Sequence, residues 1–354
     1  MSCLELSDTQ ISSPAQVTIV VSPRERFSYT CESLESIYEH TKIKFNLVYV
    51  DGNSPAKVRR YLEAQAQARG FQLIRTKDYL YPNQARNLGL AQVKTKYVVF
   101  VDNDVIVSPG WLNALVECAE QTQATVVGPL MCQDQPLHEI VHFAGGESHI
   151  WLDTTNNQSR NRLREKMYKQ GKQVAQVRNS LQRTTTELAE FHCVLVRTEI
   201  FQRIGLLDEG MCNTKEHLDF CMLVAQAGGT IYFEPASIVT YVPGPPLEWT
   251  DLHYYMLRWS DAWTLNSLNR FRDKWNLAED GYFLSKYNKL GWRRKMTIIE
   301  PLNRRLSFGM SNSLFNFILL RLDKKLNSYL TTRHADKQKQ NKLEVPVQPV
   351  TVSS

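Results

Sequence analysis

The sequence predicts an α/β fold with a mostly parallel sheet, on three observations. Strand and helix patterns alternate over about the first eighty residues after position 16, the order that builds right-handed βαβ units. The stretch Tyr97-Val98-Val99-Phe100-Val101 is apolar without alternation, as expected of a central strand buried on both faces. Carboxylates stand at the carboxyl ends of two predicted strands, Asp51 after the second and Asp102 and Asp104 after Val101, which is where open α/β sheets bind ligands.

Residues 1–15 read as a polar N-terminal arm. Val17 to Val21 is the first strand and Ser22-Pro23-Arg24 begins the loop leaving it. Ser28 caps a helix to about His40, with Leu34, Ile37 and Tyr38 at helical spacing. Asn46 to Val50 is the second strand, followed by Asp51-Gly52-Asn53-Ser54-Pro55; Ala56 to Ala68 is a helix, Phe71 to Ile74 a third strand, and Asn83 to Val93 a helix. After Asp104 come a helix from Trp111 to Gln121 and a strand from Thr125 to Pro129.

The stretch from 132 to about 190 is polar and weakly patterned, and reads as a solvated loop-and-helix insertion. Within it His138 and His142 would share a face only if the segment were helical; the simpler reading is two exposed histidines. Glu190 to Arg197 is the next strand. Glu216 and Asp219, three apart in the first turn of a helix that stops at Gly228-Gly229, fall on one face. Carboxylates there also suit the helix dipole, so a plain helix N-terminus accounts for them as well. Ile231 to Phe233 and Ile238-Val239 read as two short closing strands.

Beyond Pro243-Gly244-Pro245-Pro246, residues 246–333 form a predicted helical extension. Its aromatic residues, Trp249 to Trp275, are expected to pack back onto the sheet domain. Basic residues such as Arg304 and Arg305 stand near an apolar helix, Leu314 to Leu330, which carries Arg321, Lys324 and Lys325. That combination suits peripheral contact with an anionic membrane. Residues 334–354, rich in Lys, Gln and Pro, read as a disordered tail.

Composition narrows the function. A net charge of +6 over 354 residues is too mild to indicate nucleic acid as a partner. Seven cysteines without CxxC pairs fit a reduced, cytoplasmic compartment better than a disulfide framework. The N-terminus shows no secretory signal, and no apolar run reaches the ~18 residues of a membrane span. GxGxxG after the first strand and GxxxxGK[ST] are both missing, which disfavours a dinucleotide oxidoreductase and a P-loop NTPase. Asp102 and Asp104, two apart, are hard oxygen donors suited to Mg²⁺ or Mn²⁺ held with phosphate oxygens. Asp102-Asn103-Asp104 also reads as a simple turn.

Taken in order, Val17 to Pro23, Val50 to Ser54, Gln84 to Gly89, Phe100 to Asp104, Val196 to Glu209 and Glu216 to Asp219 with Gly228-Gly229 resemble the family 2 glycosyltransferases of GT-A fold, over residues 17–245. The resemblance implies a GT-A type, Rossmann-like catalytic domain over 16–245, with 132–190 as a variable acceptor-side insertion. It also implies a nucleotide-diphosphate-sugar donor, first of all a UDP-sugar, a divalent metal (Mn²⁺ or Mg²⁺) and inversion at the anomeric carbon. A hydroxyl acceptor on a carbohydrate or glycolipid completes it, and the cysteine usage and basic extension make this a cytoplasmic enzyme peripheral on the inner membrane face.

Carried over, Ser22, Pro23 and Arg24 line the donor site, Asp51 reads the base, and Arg86 and Asn87 line the pocket. Asn103 lines the donor site, Asp102 faces the ribose or a metal-bound water, and Asp104 stands nearer the metal, which the two carboxylates hold. Where many members have a Glu-Asp catalytic pair this chain has Glu216-His217, leaving Asp219 or Glu216 as base with His217 orienting. Tyr241 stands where many have a histidine ligand. Two other functions share these features. A sugar-phosphate nucleotidyltransferase would want a Gly-rich, Arg- and Lys-bearing loop where Ser22-Pro23-Arg24 stands, and a catalytically silent GT-A module would only bind.

Overall fold

The computed structural model describes residues 15–154, 159–243 and 247–343, so the junction at Gly244-Pro245-Pro246 and nearly all of the expected N-terminal arm lie outside the described residues. Twelve described strands are β1 (Val17–Ser22), β2 (Phe45–Asp51), β3 (Gln72–Arg75), β4 (Tyr97–Asp102), β5 (Val105–Val107), β6 (Val126–Gln133), β7 (Ile140–Phe143), β8 (Gly146–Asp153), β9 (Arg160–Met167), β10 (Thr184–Thr185), β11 (Cys193–Arg197) and β12 (Ile231–Tyr241). The main sheet runs β10-β12-β6-β11-β4-β1-β2-β3, with β5 on β12 and β7 on β6.

Strands β3, β2, β1 and β4 are parallel, and β6 and β12 are parallel to each other. Between the two groups β11 runs antiparallel to both β4 and β6. The carboxyl ends of β1, β2, β4, β6 and β12 therefore point to one edge, and β11 brings its amino end to that same edge. Every side chain of β1 and β4 is buried, the reason their sequences are apolar without alternation. Burying each such Val or Phe contributes about 1.5–3 kcal/mol.

Helices cover the sheet. Pro82–Leu90 packs on β1 so closely that a Cβ at Gly89 would come within 2.2 Å of a Val20 methyl, so any larger residue there would force the helix or Val20 to shift. Trp111–Thr122 lies against β6 and β12.

Three expectations are corrected. The 132–190 stretch contains strands that the sequence reading missed: β7 joins the main sheet and β8–β9 form a separate hairpin with Gly146 opposite Met167. Its outer face is charged and laced by pairs such as Arg162 with Asp153 and Arg164 with Glu147, which hides the two-residue period from a hydrophobicity reading. The two closing strands are one, β12, with a register shift between Glu234 and Ile238; Pro235 has no N–H for the ladder, so the chain bulges there. The expected tail from residue 334 begins inside the helix Ser313–Leu343. Lys, Gln and Ala are good helix formers, His334 packs against Tyr81 and Trp263, and Lys337 pairs with Asp78. Residues 344–354 lie outside the described residues.

The aromatic stretch packs inward, as its bland reading expects. Tyr254 stacks on Tyr79 and sits 5.1 Å from the Phe27 ring, while Tyr255, Trp263 and Phe271 are buried and Trp249 stays exposed. At the start of the helix Leu252–Arg258, the Asp251 carboxylate accepts hydrogen bonds from the Phe27 and Ser28 amides at 2.7 and 3.2 Å. The extension thus fixes the loop that leaves β1.

Candidate active site

The edge holds the predicted donor residues. At the end of β2 the Asp51 carboxylate accepts from the Ser54 amide (2.8 Å) and hydroxyl (2.9 Å) and pairs with Arg75. It is a rigid, buried corner rather than a loose turn. At the end of β4 Asp102 is buried between two guanidinium groups and an imidazole: Arg86 Nη2 donates to it at 3.1 Å, Arg24 Nε lies 3.6 Å away, and His192 Nδ1 lies 2.9 Å away. Burial would raise this carboxyl, but Arg86, His192 and Arg24 outweigh it and hold it at about 2.

Asp104 is the opposite case. It is fully buried, and neither carboxylate oxygen has a hydrogen-bond partner. Burial first, then the neighbouring Glu25 and Asp102, push its carboxyl well above the ordinary aspartate range. A carboxylate in such a place needs a cation or a proton. Ligand atoms of Asp102, Asp104 and His192 lie within 4.8 Å of one another, and the two carboxylates among them are hard oxygen donors that a divalent metal fits.

Arg24 connects the two halves of the cleft. Its amide donates to Asn103 Oδ1 at 2.9 Å, and its guanidinium reaches Glu216 Oε1 at 3.4 Å as well as Asp102. Burial pulls this group down, yet Asp102 and Glu216 keep it protonated beyond question. Ser22 and Pro23 flank it, the Ser22 hydroxyl buried and unpartnered and the Pro23 carbonyl accepting from Tyr254 at 3.3 Å.

Two of the residues expected to line the donor site make structural hydrogen bonds. Asn103 donates to the Arg26 carbonyl at 2.7 Å, so its side chain braces the loop after β1. Asn87 exchanges hydrogen bonds with the backbone of Leu207 (2.9 and 3.0 Å) and reaches Glu209 at 3.0 Å. Both short amides are consumed by backbone partners that their local motifs do not reveal.

The predicted acidic face of the helix Glu216–Gln226 splits. Glu216 turns to Arg24 and to Arg258, 3.6 Å away, and its Oε2 is buried without a partner. Burial would raise its carboxyl; Arg258 and Arg24 outweigh that and hold it below the ordinary range. Asp219 has both oxygens engaged, by Lys274 Nζ at 2.7 Å and Trp275 Nε1 at 2.8 Å, and burial raises its carboxyl. His217 is turned not to Glu216 but to Glu190, Nε2 to Oε1 3.9 Å.

Several residues of the site escape a sequence reading. Glu190 and His192 arrive because β11 is antiparallel: Cys193 pairs with Val101, and the Asp102 amide donates to the His192 carbonyl at 3.0 Å. Burial lowers His192 to about 4, with Arg24 adding to the effect. Its ring stacks on Tyr241 at 4.0 Å, so the imidazole missing at position 241 has a neighbour supplied by another strand. Arg258 comes from the extension and donates through Nε to the Arg24 carbonyl at 3.0 Å. Glu25 is held by Trp259 Nε1 at 3.0 Å. The one available signal was the polar run Glu190-Phe191-His192 opening an apolar strand. His138 and His142 do not share a helix: His142 lies on β7, and His138 pairs with Thr240 at 2.6 Å.

The profile of the family described as glycosyl transferase family 2 matches residues 18–204, just over half of the chain. The pre-mycofactocin glycosyltransferase of Mycobacterium tuberculosis is 26% identical over 160 residues, 45% of this chain and 30% of its own length. An uncharacterized glycosyltransferase of Rickettsia bellii is 26% identical over 95 residues, 27% of this chain and 14% of its own. The matched segments thus span less than a third of these relatives. Solved structures that superpose include GalNAc-T7 with UDP, GalNAc and Mn²⁺ (TM-score 0.49, 15% identity, 80% of this chain and 57% of that one). Another is S. aureus TarS in complex with UDP (TM-score 0.46, 14% identity, 92% of each chain). On the family match, over the strands and loops that build this cleft, the chain belongs to glycosyl transferase family 2.

Proposed function

We propose that this protein transfers a sugar, with inversion, from a nucleotide-diphosphate donor, a UDP-sugar, to a hydroxyl of a carbohydrate or glycolipid acceptor. The observation that carries the reading is the Asp104 carboxylate, fully buried, unpartnered and next to a second carboxylate. Oxygen donors of this kind fit Mn²⁺ or Mg²⁺, held by Asp104 with Asp102 nearby. When bound, the metal neutralises the diphosphate leaving group.

The chain's own residues do the rest. Asp51, fixed by Ser54 and Arg75, offers a carboxylate to the base. Arg24 and Arg86 hold Asp102 ionised and oriented. Glu216, kept ionised by Arg258 and Arg24 and with one free oxygen, is the general base; Asp219, with both oxygens occupied, is not. The acceptor oxygen bonds to the anomeric carbon as the bond to the phosphate oxygen breaks, and the acceptor proton passes to Glu216. Such proton transfer is worth about 10²- to 10⁴-fold. The test is nucleotide diphosphate release from a panel of nucleotide sugars, with and without chelator. Release that Asp104→Asn and chelator leave unchanged refutes the metal assignment, and no release from any donor refutes the enzyme.

We also propose docking on an anionic membrane surface. The helix Ser313–Leu343 exposes Leu314, Phe317, Ile318, Leu322 and Leu326, with Arg304, Arg305, Arg321, Lys324 and Lys325 close in sequence. Among the described residues no helix is long and apolar enough to cross a membrane, so the contact is interfacial. Co-sedimentation with anionic vesicles at low and high salt tests it; equal recovery with neutral vesicles, or none with either, refutes it.

A further inference from the structure

We infer that His142, Glu190 and His192 form a second metal centre, for a borderline divalent ion of the Zn²⁺ class, separate from the oxygen site at Asp104. His142 Nε2 and His192 Nε2 lie 3.2 and 3.6 Å from Glu190 Oε2, and a ligand atom from each residue falls within 4.8 Å of the others. The edges of a tetrahedron around an ion bound at about 2.0–2.1 Å are roughly 3.3 Å. The two imidazole-to-carboxylate separations match that spacing.

The far nitrogens are arranged as metal-bound histidines require. His142 Nδ1 sits 2.8 Å from Gln133 Oε1, an acceptor that would fix the proton on Nδ1 and leave Nε2 as the nitrogen turned to Glu190. His192 Nδ1 faces the Asp102 carboxylate at 2.9 Å, the carboxylate–histidine pairing that fixes ring orientation at zinc sites. Glu190 and His192 are more than nine-tenths buried, and His217 Nε2 lacks a hydrogen-bond partner. Three protein ligands leave a fourth position for water, with His217 beside Glu190. Two imidazoles and one carboxylate favour Zn²⁺, Co²⁺ or Fe²⁺ over Mg²⁺. Asp102 then acts at both places: it orients His192 here and faces Asp104 on the other side.

This assignment does not depend on the sugar-transfer reading. The metal-stripped full chain is titrated with Co²⁺ and followed by visible absorption. Strong bands of a four-coordinate ion are expected, displaced by Zn²⁺ and retained in Asp104→Asn. They should vanish in His142→Ala, while Gln133→Leu should weaken Co²⁺ affinity about 10- to 100-fold. Circular dichroism of each variant separates ligand loss from misfolding, and His142→Gln serves if His142→Ala does not fold. Absence of bands, the weak spectrum of a six-coordinate ion, or bands lost in Asp104→Asn but kept in folded His142→Ala or His142→Gln overturns the assignment. Nucleotide diphosphate release is measured separately, so failure of transfer and failure of this centre are distinguishable.

Discussion

Asp104→Asn should make the metal-free protein more stable while removing its response to metal. In the native fold the Asp104 carboxylate has no hydrogen-bond partner, and burial, Glu25 and Asp102 all disfavour its charge. Leaving a buried acceptor unsatisfied costs about 1–3 kcal/mol, more for a charged one. Asparagine removes the charge at nearly the same volume, so in chelator the variant should melt at least about 2 °C higher. The sign follows from linkage: the folded pKa is raised, so the contribution of Asp104 to stability is full below the ordinary aspartate value and lost as pH rises through the folded one. The gap between the two proteins should therefore widen from acidic to neutral pH. Saturating Mn²⁺ with UDP should reverse the order, because ligand at 100 times its Kd adds about 2.7 kcal/mol to the protein that binds it. Thermal unfolding of both proteins across pH, with chelator and with Mn²⁺ plus UDP, reads all of this. A variant no more stable than the parent in chelator, gaining as much from Mn²⁺ and UDP, would refute the reasoning.

Other outcomes follow from single contacts. Glu216→Gln should lower turnover about 10²- to 10⁴-fold with UDP affinity unchanged, whereas Asp219→Asn should lower the melting temperature and spare turnover per folded molecule; the reverse pattern returns the base to Asp219. Asp51→Ala should weaken UDP binding by about 1–3 kcal/mol, measured by calorimetry, and unchanged affinity would leave Asp51 as a corner residue only. Arg294 grips Asp323 through Nε and Nη2 in a buried pair at 2.9–3.2 Å, so Asp323→Ala should destabilise by about 3–5 kcal/mol and loosen the helix Ser313–Leu343; hydrogen exchange in that helix checks it.

The parallel half of the sheet and the Asp102–Asp104 pair are legible in the sequence because both are local. A strand buried on both faces must be apolar throughout, and its last residue is by position at the carboxyl edge of the sheet, so Tyr97 to Asp104 shows its own place in the fold. Glu216 and Asp219 in the first turn of their helix are legible for the same reason. Their chemistry is not local. Three residues along a helix turn a side chain by about 60°, enough to send Glu216 to Arg24 and Arg258 and Asp219 to Lys274 and Trp275. Only the tertiary structure decides which carboxylate keeps a free oxygen. It also decides that β11 runs backwards, which carries Glu190 and His192 to Asp102 from about ninety residues away, and that β7 sets His142 against them. Arg258 and Trp259 reach the cleft from beyond residue 250 because buried rings dock the extension. A period in the sequence records which face of an element is apolar; which charged groups then meet depends on strand direction and on packing between distant elements, and no spacing along the chain encodes that.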